Sequence, residues 1–366
     1  MSILTRYLLK EFIKLFMFFI IGFIAIYVVI DVIENANRFA EAGLNAATMA
    51  SYMLLQIPEI VTLLTPVAVL MSTIITLGIM GNRNELVAMK SAGISLMRFT
   101  LPVLLSALCI SIALLMLSEA VLPYTKAQTN YIKNVLVRKQ EPTTYYKQKF
   151  WHKGQNSIYE IGSYDLENKV LHNITYYHFD NEFNMDLRID ANKAQFVMDP
   201  VNGARWRFYE GLYQERMASG GYNAAPFLAK DLIMPENPDD FTKLAKPTSE
   251  MNVGELAGFI EKIESEGYDA TRYIVDMHSK VSMALACLMT ALFGVPLALF
   301  RGNSKENHIA RAVVLGAAVA FFYWVGSGYI IKIFGYYGML PSALAAWMPN
   351  ILFTLAALWM YTHIKQ

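Results

Sequence analysis

The most constraining feature of this sequence is a series of long apolar segments, because each must be buried in a large core or in lipid. The first, Phe12–Ile33, would extend about 33 Å as a helix at about 1.5 Å per residue, enough to cross a hydrocarbon layer of about 30 Å. It lacks the short core and cleavage site of a signal peptide, so we expect it to stay in the mature protein. Five further segments follow: Ser51–Met80, Leu101–Leu117, Val281–Phe300, Ile309–Ile331 and Pro341–Tyr361. The sequence therefore predicts six transmembrane helices, three on each side of a central polar region.

The composition agrees with a membrane protein and excludes several other classes. Hydrophobic residues make up 55% and charged residues 17% of the chain, against about 45–50% and about 25% in soluble domains. The formal net charge of +1 offers no basic surface for nucleic acid, and Cys109 and Cys287 both lie in apolar segments. We therefore expect neither a nucleic-acid partner nor a disulfide-stabilised secreted fold.

The distribution of lysine and arginine predicts the orientation of the helices, because cytoplasmic flanks are enriched in these residues. The N-terminus, the second and fourth connections and the C-terminal end carry Arg6, Lys10, Lys14, Arg83, Lys90, Arg98, Arg301, Lys305, Arg311 and Lys365. The first and fifth connections offer only Arg38 and Lys332. Both termini are therefore expected in the cytoplasm. The predicted boundaries are 1–122 for the first three helices, 123–250 for an outer domain with its linkers, and 251–366 for the other helices.

The central region has the residue pattern of β-strands. Between about Lys147 and Met234 apolar side chains recur with a period mostly near two, as in Val170–Phe179, and turn-forming residues separate the runs. Such a pattern is typical of a sandwich or barrel. Asn252 and Glu255 have the spacing of a capping box, which predicts a helix leading back to the membrane. The predicted fold is an α-helical membrane protein with six transmembrane helices (3+3) and an inserted all-β domain.

The sequence contains no recognisable catalytic or nucleotide-binding motif. It lacks the phosphate-binding loop G-x-x-x-x-G-K-[ST] and the motifs H-E-x-x-H and G-x-S-x-G. Of its histidines, only His172 and His178 lie close together, in a predicted strand, where a surface or packed pair is more common than a metal site. We therefore predict no catalytic residues, no metal site and no cofactor bound by this chain.

The connection between the second and third helices, Gly81–Ser95, has the pattern of a short helix. Leu86, Val87 and Met89 would give this helix an apolar side, while Glu85 can point elsewhere. One interpretation is a cytoplasmic coupling helix, which docks into a partner protein and passes its movement to the membrane helices. The alternative is an interfacial helix that only anchors to lipid, and spacing alone favours this alternative.

Some residues near the outer ends of the helices are candidates for contact with an amphipathic lipid. Asp31 and Arg38 lie where the first helix leaves the membrane, although such charges more often only mark a helix end. In the fifth helix, small residues such as Gly316 permit close packing. Phe322 and Tyr323 in the same helix are able to line a lipid-facing seam, although ordinary packing is the more common role of such residues.

Several of these segments together resemble the LptF/LptG family of lipopolysaccharide export permeases. The similarity begins with RYLLKEF at Arg6–Phe12 and includes Pro58 and Pro66 in the second helix. It continues with N-E-L-x-x-M-x-x-x-G at Asn84–Gly93 and with the stretch Met251–Lys280 before the fourth helix. The similarity extends over most of the chain, and the Asn84–Gly93 run is more similar to LptG than to LptF.

The resemblance implies a function that spacing alone does not. It implies that two such permeases pair in the bacterial inner membrane, bind a cytoplasmic LptB-type ATPase dimer that uses ATP, and extract lipopolysaccharide. It also implies that the all-β domain is a periplasmic β-jellyroll, which passes the lipid to an LptC-like protein, and that the first and fifth helices form a lateral gate. For ATPase coupling the resemblance points to Glu85, with Leu86, Met89 and Gly93 in the same helix and turn. The predicted substrate-binding residues are Asp31, Arg38, Phe322 and Tyr323.

The sequence departs from the family at one position. Some LptG proteins carry a lysine in the outer half of the first helix, where it can meet lipid phosphate. Here Val28–Ile30 is apolar and Asp31 follows, so Arg38 is the nearest basic candidate.

Two other classes of protein remain as alternatives. A membrane-anchored periplasmic binding or scaffold protein would use the β domain for recognition and the helices only as an anchor. An intramembrane enzyme is disfavoured, because the sequence shows no nucleophile or metal constellation within the predicted helices.

Overall fold

The fold is known from a computed structural model. The structure describes residues 3–139, 150–153, 156–165, 168–180, 182–199, 203–217, 221–232, 234, 247–265, 269–299 and 308–363. Of the basic residues that predict the orientation, Arg301, Lys305 and Lys365 lie outside these ranges, as does Lys147 at the start of the predicted β region.

Six helices in the described ranges are long and apolar enough to cross a membrane. They are α1 (Ile3–Glu41), α2 (Ala46–Asn82), α4 (Leu96–Ala120), α7 (Thr271–Leu299), α8 (His308–Ile330) and α9 (Ser342–His363). The other α-helices in these ranges are α3 (Glu85–Ser91), α5 (Leu122–Tyr131) and α6 (Val253–Ser265). A 3-10 helix covers Thr248–Glu250, and π-helical turns extend α5 (Ile132–Val137) and α8 (Ile331–Gly335). The predicted arrangement of three helices, an all-β insert and three helices is confirmed.

The helix bundle is built around α2 and α7. In their most apolar 18-residue stretches, 67% of α2 and 61% of α7 are buried, against 6% of α1 and 17% of α8. Both α1 and α8 pack against α2. The bundle therefore has two buried central helices and two peripheral helices with apolar faces that the described residues leave uncovered.

Two glycines allow close contact between α2 and its neighbours. A Cβ at Gly316 of α8 would lie 2.4 Å from Cδ1 of Ile74, and a Cβ at Gly294 of α7 would lie 3.2 Å from Cδ1 of Leu70. At Gly326, farther along α8, nothing lies within 4 Å. The predicted role of small residues in helix packing therefore holds at Gly316, while Gly326 faces open space.

Gly316→Leu is expected to push α8 away from α2 and to lower the thermal unfolding temperature of the detergent-extracted chain. Overpacking of this kind costs about 1–3 kcal/mol. Gly326→Leu adds the same side chain to the same helix in open space, so it is the matched control. The measurement is the fraction that remains monodisperse after heating, by size-exclusion chromatography. Equal unfolding temperatures for the two variants would contradict the close α2–α8 contact.

In its described residues, the β insert forms a single antiparallel sheet of six strands whose spatial order follows the sequence. The strands are β1 (Phe150–Lys153), β2 (Ser157–Asp165), β3 (Val170–Phe179), β4 (Met185–Asp199), β5 (Gly203–Arg216) and β6 (Tyr222–Leu232). One face carries an apolar core in which Trp206, Phe208 and Tyr159 are fully buried. After the sheet, α6 begins with the predicted capping box, since Glu255 N–H donates to Oδ1 of Asn252 at 2.7 Å.

The ladder pairing of the sheet is interrupted along one line, which we call the crease. The crease crosses five strands at Gly162, Asn173, Asn192, Glu210 and Leu228. Asn173 and Glu210 have positive φ angles of 50° and 49°. Before the crease the buried residues of β4 have odd numbers, and after it the buried residue has an even number, so Ala191 and Ala194 are both buried. A strand with an uninterrupted pleat points such residues to opposite faces, so the crease lets both halves of the sheet share one core.

Candidate functional site

The predicted coupling helix is α3, which lies between two residues with left-handed backbone conformation. Asn84 before it has φ 59° and Gly93 after it has φ 77°, a conformation that asparagine and glycine adopt at low cost. The chain then turns back through a hydrogen bond from Ile94 N–H to Met89 O of 3.1 Å. Gly93 therefore ends α3 through its backbone, and a side chain there would meet nothing within 4 Å.

Leu86 and Met89 attach α3 to the helix bundle. Met89 is 9% exposed and lies in a core cluster with Leu8 and Phe12 of α1, and Leu86 packs against the same cluster. Val87, by contrast, is 47% exposed. Two of the three apolar side chains that a lipid anchor would place in the membrane therefore contact the bundle instead.

Glu85 lies at the start of α3, beside the first turns of α1. The Tyr7 hydroxyl of α1 donates a hydrogen bond to Oε1 of Glu85 at 3.3 Å and accepts one from Nη1 of Arg83 at 3.2 Å. The Glu85 side chain is 31% exposed. We call this end of the bundle the α3 end, and the opposite end, where the chain leaves for the sheet, the sheet end.

Asp31 lies in the contact between α1 and α2, toward the sheet end. Nδ2 of Asn35 donates to the backbone oxygen and to Oδ1 of Asp31, both at 3.0 Å, and Nε2 of Gln56 on α2 lies 3.5 Å from Oδ1. Oδ2 of Asp31 is buried without a hydrogen-bond partner among the described residues. These contacts indicate that Asp31 helps join the two helices, and its contact with substrate stays a prediction.

Arg38 lines a cavity of about 440 Å³ at the sheet end. The cavity is lined by Arg38, Glu41, Ala42, Val137, Arg138 and Lys139. Three cations and one carboxylate give it a net positive charge, which suits a phosphate or another anion. Arg138 and Lys139 were not among the candidates from sequence, because no periodicity relates them to a residue of α1 a hundred positions earlier.

Phe322 and Tyr323 of α8 have different environments. Phe322 is 66% exposed. The Tyr323 hydroxyl donates to Oδ1 of Asn350 on α9 at 2.7 Å, and the ring contacts Phe353 edge-on at 5.1 Å. Asn350 in turn donates to the backbone oxygen of Ser282 on α7 at 2.7 Å. Phe322 is therefore accessible to a lipid, whereas Tyr323 fastens α8 to α7 and α9.

The segment between the sheet and α6 is fixed to the bundle by polar contacts that sequence reasoning missed. Thr248 and Tyr336 donate to the two carboxylate oxygens of Asp276 at 2.8 and 2.6 Å. Asn130 of α5 donates to Oε1 of Glu250, which is 2% exposed, at 2.8 Å. Burial and the neighbouring Asp276 raise the pKa of Tyr336 to about 12, so its hydroxyl stays protonated and donates at neutral pH. The exit from the sheet is therefore held by α5, α7 and the end of α8.

Within the described ranges, no group of three or more histidine, cysteine, aspartate or glutamate side chains is arranged to hold a metal ion. His178 instead pairs with Asp186, whose Oδ1 lies 2.7 Å from Nδ1 of the ring. The fold and the site together define a multi-pass membrane protein. It has uncovered apolar faces on two peripheral helices, a cationic cavity at the sheet end and a short, firmly seated helix at the other end.

Comparison with known proteins gives the family. The model of the family described as lipopolysaccharide export system permease LptF/LptG matches residues 6–363. The chain therefore belongs to this family. Its relatives include the lipopolysaccharide export system permease protein LptG of Escherichia coli (strain K12), 23% identical over 98% of both chains. LptG of Haemophilus influenzae (strain ATCC 51907 / DSM 11121 / KW20 / Rd) is 20% identical over 99% of both chains. The resemblance found from the sequence, including the similarity to LptG, is confirmed.

Proposed function

We propose that this chain is a permease subunit of an exporter that extracts lipopolysaccharide from the inner membrane and passes it to a periplasmic bridge. The observation that carries the proposal is family membership over residues 6–363, together with relatives named as lipopolysaccharide export permeases. A separate cytoplasmic ATPase of the LptB type supplies the energy by using ATP, and this chain binds no cofactor. The α3 end faces the cytoplasm and the sheet end faces the periplasm.

The physical task explains why such a protein needs both an energy source and an apolar path. Each methylene withdrawn from the membrane costs about 0.8 kcal/mol, so a lipid with several acyl chains does not leave spontaneously. In this proposal the sheet domain, whose core is apolar, receives the acyl chains and passes them to an LptC-like protein.

The lipid enters, in this proposal, beside the two peripheral helices. Exposed apolar side chains include Phe18 and Ile21 on α1 and Phe322 and Trp324 on α8. A second LptF/LptG-type permease would cover part of these faces, and a lateral gate would lie where α1 and α8 meet that partner. Within this gate Phe322 contacts the acyl chains, while Tyr323 keeps α8 in place.

The ATPase docks at α3. Leu86 and Met89 hold α3 on the bundle, Gly93 ends it, and Glu85 presents a partly exposed carboxylate at its start. A cation on the ATPase is the natural partner of this carboxylate. Movement of the ATPase then passes to the bundle, because α3 shares a core cluster with α1, α2, α4 and α7.

A head-group phosphate binds in the cavity that Arg38 shares with Arg138 and Lys139. Arg38→Glu is expected to reduce the lipopolysaccharide retained by the purified chain about tenfold, because it replaces a charge-assisted contact with repulsion, a change of about 1.4 kcal/mol or more. Arg98→Glu, an equal charge change on an exposed residue at the α3 end, is the control. The measurement is bound lipid per chain by mass spectrometry. Equal lipid in the Arg38 variant and the parent would remove Arg38 from the site.

Mass spectrometry of the tagged chain, gently extracted from its native membrane, tests the assembly. The proposal predicts an ATPase dimer, a second six-helix permease and lipopolysaccharide in the recovered complex. A chain recovered with a stable periplasmic protein but with no ATPase would contradict it and would favour the membrane-anchored scaffold.

A further inference from the structure

We infer that Tyr7 is a positioning residue for Glu85 and that it links α3 directly to α1. The inference deepens the proposed function, because it rests on the role of Glu85 in contacting the ATPase. It adds a residue outside α3 to the coupling machinery and gives α1 a polar contact with α3 beside the apolar one.

The hydrogen bonds around Tyr7 give its hydroxyl a defined direction. Nη1 of Arg83 donates to the Tyr7 oxygen at 3.2 Å, so the hydroxyl proton is available to Oε1 of Glu85 at 3.3 Å. Arg83 itself lies 3.9 Å from the same carboxylate oxygen. A glutamate at the start of a helix otherwise has several accessible rotamers. Here one oxygen, Oε1, accepts the hydrogen bond of Tyr7, which fixes the direction of the carboxylate.

Tyr7 is well suited to this role because its own position is fixed. The residues after it include Leu8 and Phe12, which are both fully buried in the cluster that also contains Met89 of α3. The Tyr7 ring packs against that cluster and moves about only two side-chain torsions. The α3 end of α1 is therefore anchored, although the rest of the helix is mostly uncovered.

The packing of α3 and the hydrogen bond to Glu85 are separable. Leu86 and Met89 hold α3 on the bundle through apolar contacts that do not involve the Tyr7 hydroxyl. Tyr7→Phe therefore keeps the ring and the fold and removes only the polar link. This variant separates positioning of the carboxylate from attachment of the helix.

The experiment compares the parent, Tyr7→Phe and Tyr124→Phe, each purified from native membranes with its bound ATPase and reconstituted with lipopolysaccharide. Tyr124 is 66% exposed on α5 and serves as the matched control. Tyr7→Phe is expected to retain the ATPase but to release about fivefold less lipid per ATP hydrolysed, the factor that corresponds to one hydrogen bond of about 1 kcal/mol. Tyr124→Phe is expected to match the parent.

A second comparison distinguishes positioning from a purely structural role. If Tyr7 acts through Glu85, Tyr7→Phe has no further effect in a Glu85→Ala background, where the side chain no longer accepts the hydroxyl proton. Equal lipid release per ATP in Tyr7→Phe and the parent would overturn the inference, and so would a full additional loss in the Glu85→Ala background. A parent complex without any ATPase would instead overturn the proposed function, and the inference with it.

Discussion

Glu85→Lys is expected to reduce ATP-driven lipid export at least thirtyfold while the chain still folds and reaches the membrane. Truncation or reversal of a charge at an interface costs about 2–5 kcal/mol, which corresponds to roughly 30-fold or more. The substitution places a like charge opposite the cation of the ATPase and also breaks the hydrogen bond from Tyr7. Glu85→Ala is expected to act in the same direction, since it removes the carboxylate without adding repulsion.

The matched control for this prediction is Glu264→Lys, which makes the same charge change at an exposed position of α6. Export is measured as lipopolysaccharide transferred to a soluble acceptor per unit of ATP, at equal abundance of each variant in the membrane. Undiminished export by Glu85→Lys would contradict the coupling role of α3 and would favour the alternative, an interfacial helix that only anchors to lipid.

Gly211→Ala is expected to destabilise the β domain by about 3 kcal/mol, at the upper end of the range for overpacking. A Cβ at this position would lie 2.1 Å from the backbone oxygen of Asp190, 2.7 Å from Cζ of Phe227 and 3.0 Å from Cα of Ala191. Two of these neighbours are backbone atoms of β4 beside the crease, so no change of rotamer relieves the clash. The β4–β5 ladder must separate locally.

Limited proteolysis of the full-length chain in membranes measures this effect, because a loosened sheet exposes cleavage sites. Gly258→Ala is the control: Gly258 lies in α6, where nothing lies within 4 Å of the added carbon, and alanine favours a helix. The Gly211 variant is expected to be cut far faster than the control. Equal cleavage rates would show that the crease tolerates a side chain and would contradict the close approach of β4 and β5.

The parts of the fold that the sequence predicts are those encoded locally. Six membrane helices follow from segment length and apolarity, and the start of α6 follows from the Asn252–Glu255 spacing. The strands follow from alternation, but the crease does not. At the crease the alternation of buried and exposed residues shifts by one position, so that Ala191 and Ala194 are both buried. A sequence pattern judged over the whole strand does not detect a shift of one position.

The candidate site depends more on contacts between residues that are distant in the sequence, and here sequence reasoning finds only one member of each contact. Arg38 is identifiable because it is the nearest basic residue to the end of the first apolar segment, but Arg138 and Lys139 join it only through the path of α5. Glu85 stands out in α3, whereas Tyr7 approaches it from another helix. Adjacent aromatics at Phe322 and Tyr323 look alike in sequence, and only the position of α9 separates their environments.

ATP-dependent removal of lipopolysaccharide from proteoliposomes tests the central claim most directly. The complex purified with this chain is reconstituted with lipopolysaccharide, and a soluble periplasmic acceptor is added outside. The account predicts that lipid appears on the acceptor only when ATP is hydrolysed, and that Glu85→Lys reduces this transfer at least thirtyfold while Glu264→Lys leaves it unchanged. Stable binding of the acceptor without any ATP-dependent transfer by the parent complex would contradict the account and identify the chain as a membrane-anchored scaffold.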